Sequence, residues 1–196
     1  MKTTQNFKKG LTLFVLALFI TLSGMQCEKD KNIPEIDKLP PPTQTGADTF
    51  GCLVDGKALL PRKKSWSGSG VLQCDYQYIN SGNLNGYYFT LGGSDEKTYS
   101  NAIHKVILRA NALELKEQTY VLDEYDIPGK LNGEFRIFSD IDSKYTTNQI
   151  YKGELTITNF DPVNYIISGT FWFDAINDKG EKVEVREGRF DVHYTL

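Results

Sequence analysis

Ser94-Asp95-Glu96-Lys97 fits S-x-x-K, a pattern of acylating serines. That chemistry needs a helical turn to bring the lysine amine beside the serine hydroxyl. Here the four residues follow Gly92-Gly93, which reads as a break between strands, and no SDN-like or KTG-like partner follows. Acid groups at Asp123/Glu124/Asp126 and at Asp140/Asp142 offer paired carboxylates. Such pairs can run acid–base chemistry on a glycoside or hold Ca2+, but the calcium-loop spacing and its glycine are absent. Carboxylates in loops between strands are more often simply solvated. Asp191 and His193 alternate onto one side with Arg189, either as a dyad or as a surface ladder of cross-strand charges. GxSxG, HExxH, the P-loop and CxxC are all absent, and His104 and His193 are the only histidines. No catalytic residue, metal or cofactor is expected from these patterns.

Aromatic residues are the better lead. Trp66 sits in KKSWSGSG, a Gly/Ser stretch with little to pack on. Trp172 falls on the polar face of its strand, and Tyr88 alternates outward from Tyr87 and Phe89. Rings on a sheet face or loop can stack on sugars or anchor a protein partner. The alternative is that a second layer covers them. Cys52 shares a face with Phe50 and Val54, and Cys74 with Leu72, Tyr76 and Tyr78. Both sulfurs should point inward. In an exported protein they form either a Cys52–Cys74 disulfide or two buried thiols that never meet.

The elements that must position these residues are strands. KVEVRE (182–187) alternates strictly, as does ELTITN (154–159) with Leu155 and Ile157 inward. In IISGTFWFDA (166–175), Ile167, Gly169, Phe171, Phe173 and Ala175 share one side, and Ser168, Thr170, Trp172 and Asp174 the other. Period two with one wet face marks antiparallel sheet. RFDVHY (189–194) puts Phe190, Val192 and Tyr194 together, a parity opposite to Val183 and Val185. A β-bulge at Glu187–Gly188 resets the register, or a sharp bend carries the chain to another sheet. Either makes Gly188 irregular. Asp55-Gly56 suggests a hairpin. Asn83–Gly86, Gly92-Gly93, Pro128-Gly129 and Asn177–Gly180 are further breaks. ANALELKEQ (110–118) is the one stretch that suggests a helical turn or two. The expected fold is an antiparallel β-sandwich of about 8–10 strands, with an open lipocalin-like barrel as the alternative.

Ahead of this domain, Lys2, Lys8 and Lys9 precede LTLFVLALFITL (11–22), then Ser23, Gly24 and Cys27. The apolar run is too short to span a bilayer, which takes about 20 residues, but it suits the core of a secretory signal. The order basic, apolar, small, Cys resembles a bacterial lipoprotein signal, although Gln26, not a small residue, precedes Cys27. The resemblance implies lipidation of Cys27 after removal of residues 1–26, and several acyl chains then give stable anchoring. The alternative is ordinary cleavage near Ser23–Gly24. Residues 27–47 hold Pro34, Pro40, Pro41 and Pro42 and read as a tether, with 48–196 as a single β domain. Loss of residues 1–26 removes three lysines and no acid, so the formal charge moves from −3 to −6. That balance argues against a nucleic-acid partner, and the basic cluster at Lys57–Lys64 is short enough to be a solvated turn.

TGADTFGCLVDGKALLP (45–61), YKGELTITNFDPVNYIISGTFWFDA (151–175) and VEVREGRFDVHY (183–194) resemble a set of Bacteroidota lipoproteins whose shared C-terminal β domain has no assigned function. Both ends of the domain match; the middle, 62–149, matches loosely. The resemblance implies a lipid-anchored outer-membrane protein facing the periplasm or the cell exterior, and it supplies no catalytic residue. The expected function is therefore a non-catalytic binding or structural module with a glycan or an envelope protein as partner. A glycan-acting hydrolase using loop carboxylates is the alternative.

Overall fold

The computed structural model describes residues 33–64, 70–99, 101–124, 126–139 and 141–196. The chain divides into units 1–33 and 34–196, and the second holds all the regular structure described here. It consists of a short 3-10 turn (Glu35–Lys38) and eleven strands: β1 (Thr49–Val54), β2 (Lys57–Leu59), β3 (Leu72–Ser81), β4 (Leu84–Asp95), β5 (Ile103–Asn111), β6 (Thr119–Leu122), β7 (Lys130–Phe138), β8 (Ser143–Thr146), β9 (Gly153–Asp161), β10 (Ile166–Ile176) and β11 (Lys182–His193). Among the described residues no helix is long and apolar enough to cross a membrane.

All eleven strands belong to one sheet, in the order β2-β1-β11-β10-β9-β6-β7-β5-β4-β3, with β8 lying off this path against β7 and β10. Neighbours are antiparallel except β6 and β7, which meet in parallel at Leu122 and Leu131. The sheet curls until its ends touch. Thr195, just past β11, donates its N–H to the Cys74 carbonyl and accepts from the Tyr76 N–H, both at 2.9 Å. At another corner Arg62 donates to the Ser94 carbonyl at 3.1 Å and accepts from the Glu96 N–H at 2.9 Å. These stitches cap edges that would otherwise offer unpaired backbone groups. The result is the all-β, sandwich- or barrel-like architecture that the alternation predicts, with one core inside. Phe50, Leu91, Leu108, Phe135, Leu155, Phe173, Val185 and Phe190 are among its members.

Gly92-Gly93 does not break the chain: both lie inside β4. Phe50 of β1 crosses the core and presses on Gly93, where a Cβ would stand 2.3 Å from the ring. The pair is glycine for proximity, not for a turn. Residues 110–118 are not helical either. Beyond the end of β5 the chain runs as an extended loop that buries Leu115, whose N–H donates to the Tyr76 hydroxyl at 3.0 Å. Asp55-Gly56 forms the expected two-residue hairpin loop, with Val54 opposite Lys57.

β11 is continuous and bulged. Between Arg186 and Arg189 it spends three steps where β1 spends two, and the same shift recurs against β10. Val183 and Val185 and then Phe190 and Val192 all reach the core because of it. The backbone outlier is Glu187, with φ of 55°, and not Gly188. Gly188 is glycine because Phe171 lies over it; a Cβ there would meet the ring at 2.5 Å.

The proline segment is folded onto the domain. Leu39 is buried, Pro40 packs over Gly51, and the Glu35 carboxylate accepts the Ala58 N–H at 2.8 Å. Residues 43–47 wrap Asp191, which is fully buried. Its carboxylate accepts from the Thr43 hydroxyl (2.6 Å), from the N–H groups of Thr45 (2.9 Å), Gly46 (2.8 Å) and Ala47 (3.1 Å), and from the Ser168 hydroxyl (2.7 Å). Burial alone would raise the pKa of this carboxyl. The bonds from Thr43, Thr45, Ser168 and Ala47 outweigh burial and hold it far below the usual carboxylate range. Asp191 is thus neither half of a dyad with His193 nor a rung of a surface ladder. His193 instead faces Asp48, Nδ1 to Oδ1 at 3.1 Å. Residues 34–47, expected as part of a tether, thus belong to the folded unit 34–196, and residues 27–32 of that segment lie outside the described residues.

Candidate functional site

Cys27 and Trp66 lie outside the described residues. Cys52 and Cys74 are free thiols in the core, not a disulfide. β1 and β3 are not hydrogen-bonded neighbours in the sheet. Burial pushes both thiols far above the ordinary cysteine range, so they behave as small apolar groups. Ser94, next to last in β4, is a buried residue that donates to the Val71 carbonyl at 3.3 Å; it is on a strand, so S-x-x-K carries no acylating geometry. Asp123 is ion-paired with Lys130 (3.3 Å) and Lys152 (3.7 Å). Among the described residues no group of three or more potential ligands could hold a metal ion.

Trp172 and Tyr88 are not brought together. Tyr88 is half-buried on β4, and Trp172 is 39% exposed on β10, with β9, β6, β7 and β5 between them in the sheet order. Trp172 opens onto a groove of about 630 Å³ lined by Pro42, Glu154, Thr156, Thr170, Trp172 and the β11 stretch Arg186–Arg189, with Phe171 at its base. The register builds it: Trp172 faces Glu154 and Thr170 faces Thr156 across β9, and Thr170 faces Arg189 across β11. The bulge widens β11 on that side, and the docked proline segment supplies a wall.

The ring of Trp172 is fixed from two directions. Its Nε1 donates to Glu154 Oε2 at 3.3 Å, and the Arg186 guanidinium lies 5.4 Å from the ring centroid. Arg186 is itself held, donating Nη1 to the carbonyls of Phe173 (3.0 Å) and Val185 (2.9 Å) and pairing with Asp174. Arg189 pairs with Glu187 at 3.6 Å and reaches the Pro40 carbonyl at 3.4 Å. An aromatic face held rigid loses little entropy on binding. Around it stand two threonine hydroxyls, two guanidinium groups and two carboxylates. This set suits a polar ligand with an apolar face. The left-handed backbone at Glu187 costs about 1 kcal/mol at a non-glycine residue, and such strain clusters at functional sites.

Sequence alternation identifies Trp172 and Thr170 as outward. It does not reveal that Glu154 and Thr156 lie beside them, because strand adjacency is not written in either strand alone. Arg186 and Arg189 were readable as outward, but not as flanking the indole, since the bulge sets their spacing.

No curated protein and no solved structure matches this chain. A family model does match, over residues 80–192, which takes in the chain from the end of β3 to β11 and so holds Trp172 and most of its groove. The chain belongs to the family defined by the domain of unknown function DUF6252.

Proposed function

We propose that this is a lipid-anchored outer-membrane protein of the Bacteroidota type. Its β domain is a non-catalytic binding module, and the groove at Trp172 takes a glycan. One observation supports the glycan reading above the others: an exposed indole, immobilised by Glu154 and Arg186, lies in a groove edged by hydroxyl, carboxylate and guanidinium groups. Sugars present an apolar face for stacking and hydroxyls for bidentate polar contacts, and this groove offers partners for both. A flat protein-docking surface would need neither the concavity nor so many polar walls.

Screening the protein against envelope and dietary oligosaccharides, followed by titration calorimetry on those that bind, tests this. Trp172→Ala is expected to weaken binding about 30-fold, as for a central aromatic anchor, with the unfolding midpoint little changed. Wild-type affinity in that variant would remove the groove from consideration. The second reading is a glycan hydrolase, favoured by the presence of both Glu154 and Glu187 in the same groove. Product release from a bound oligosaccharide, abolished in Glu154→Gln or Glu187→Gln, would establish it in place of the first.

The anchor has its own test. Cys27→Ala is expected to move the protein from the membrane fraction to the soluble one. Retention of the variant in the membrane would show that something other than an acyl group at Cys27 holds it.

A further inference from the structure

β3 is the last strand in the sheet order, and its outer edge is only partly covered. Along its whole length it pairs with β4, from Leu72 opposite Gly93 to Ser81 opposite Leu84, and the two strands join through Gly82-Asn83. In an antiparallel ladder the N–H and C=O of one residue point to the same side, and successive residues alternate. Thr195 fixes the parity here, because it bonds the Cys74 carbonyl and the Tyr76 N–H. Cys74, Tyr76, Tyr78 and Asn80 therefore aim their backbone groups at the edge. Thr195 serves the first two. Among the described residues no backbone group reaches the N–H or C=O of Tyr78 or Asn80. Comparable places elsewhere are closed: the Tyr87 carbonyl on the far side of β4 accepts the Leu113 N–H at 2.8 Å, and on β2 the Ala58 N–H donates to the Glu35 carboxylate at 2.8 Å.

Free edges are ordinarily blunted by charge, proline or a bulge. This one has none of them. No Lys, Arg, Asp, Glu or Pro occurs between Asp75 and Asp95, in a chain that is 24% charged, and the β3–β4 register runs without a shift. The edge is also open to approach. β4 pairs with β5 only over Phe89–Asp95, so residues 77–88 project past β5 as a two-stranded ribbon, and Gln77, Tyr78, Asn80 and Ser81 are exposed. A second copy of the chain fits such an edge. Antiparallel pairing about a twofold axis sets the strand against its own sequence, where any charge would stand beside its like; here there is none. The register is decided as well. Thr195 blocks the edge at Asp75 and Tyr76 and leaves residues 77–81. With Ile79 on the axis, Tyr78 of each copy faces Asn80 of the other, and each such pair exchanges both N–H···O bonds, which uses every group that the two residues leave open. An axis at Tyr78 would drive the second copy's Asn80 against Tyr76, whose N–H is already taken, and an axis at Asn80 would set Tyr78 against the loop residue Gly82.

We propose that residues 77–81 of β3 form a self-association edge. β3 pairs antiparallel with β3 of a second copy, Ile79 lies on the twofold axis, and the two sheets become continuous through it. The inference depends neither on the reading of the Trp172 groove nor on that of the anchor.

Sedimentation velocity on the full chain in density-matched detergent, over a series of protein concentrations, is the test. A reversible monomer–dimer equilibrium is expected. Asn80→Pro removes an N–H that serves no bond within the chain, so the fold is expected to survive. Its dimer should dissociate about tenfold more readily, through loss of the bond that this N–H makes in each copy. Ile79→Lys, which sets like charges face to face across the axis, should weaken the dimer as well, and Lys116→Ala on an exposed loop should leave it as in the wild type. Ile79→Cys gives a reading that does not depend on how those variants fold. The Cα atoms of a non-hydrogen-bonded antiparallel pair stand about 4.5 Å apart, within disulfide reach. Mild oxidation should therefore yield a covalent dimer of Ile79→Cys, and none of the wild type or of Lys116→Cys. A protein that is monomeric at every concentration, a dimer that Ile79→Cys fails to trap, or a dimer unchanged in both Asn80→Pro and Ile79→Lys overturns the proposal.

Discussion

Asp191→Asn is expected to destabilise the domain by about 3 kcal/mol at neutral pH, the scale set by leaving several buried donors without a charged acceptor. The wild-type carboxylate takes bonds from three successive backbone N–H groups and from three hydroxyls, that of Thr45 the longest at 3.5 Å, and no cation pairs with it among the described residues. An amide in its place turns one of its two ends into a donor facing other donors. The same change should release residues 34–47 from the sheet, so cleavage within this segment by a nonspecific protease should accelerate. Urea unfolding and timed proteolysis read the two effects. A variant within 0.5 kcal/mol of wild type, roughly the range of an ordinary surface substitution, would mean that the segment is not held by this carboxylate. The pH dependence has a definite sign. The folded-state pKa of Asp191 is depressed, so its stabilisation is present above the unfolded carboxylate value of about 3.9. That stabilisation declines as pH falls below that value toward the folded one. The stability gap between wild type and Asp191→Asn should therefore be constant from pH 7 to about 5 and narrow below pH 4.

Gly153→Ala is expected to cost about 3 kcal/mol or more, the upper range for inserting a methyl into a filled space. At the start of β9, a Cβ on this residue would stand 2.1 Å from the Trp172 carbonyl oxygen and 2.3 Å from Phe173 Cβ. The first of these is backbone, so no rotamer change relieves the clash; β9 and β10 must separate. Gly153 pairs with Phe173, one step from the Glu154–Trp172 pair. The variant should therefore lose the fixed indole as well as stability. Near-ultraviolet circular dichroism of the tryptophans and thermal melting would report these together. A variant with wild-type stability would show that the strands have slack at this point.

Much of the strand pattern was legible because alternation is a local property. Leu155, Ile157, Phe171, Phe173, Val183 and Val185 are all core residues, as their parity predicts. The bulge near residue 187 was legible for the same reason, through a parity that could not otherwise be reconciled. Gly92-Gly93 misled because a glycine needed for close approach looks, in sequence, like one needed for a turn; Phe50, some forty residues away, decides between them. Asp191 misled in a related way. Its parity is outward, but the proline segment covers it, and no pattern within residues 189–194 records that. Of the Trp172 groove, the ring was visible and its frame was not. The convergence of Arg109, Arg136 and Lys144 on the buried Glu134 was invisible, since these are ordinary outward residues until the sheet order places β5 beside β7 and β7 beside β8.

The seam where β1 lies along β11 joins residues 49–54 to residues 185–191, and Thr195 fastens the far rim to β3. The first strand to emerge therefore waits for the last. Contacts of such long sequence separation make for slow closure, and the curled sheet cannot finish before residue 195 has been made. For a chain that is exported as proposed, this delay is useful. Such a polypeptide would stay threadable while it crosses a narrow translocation channel and would lock only on the far side.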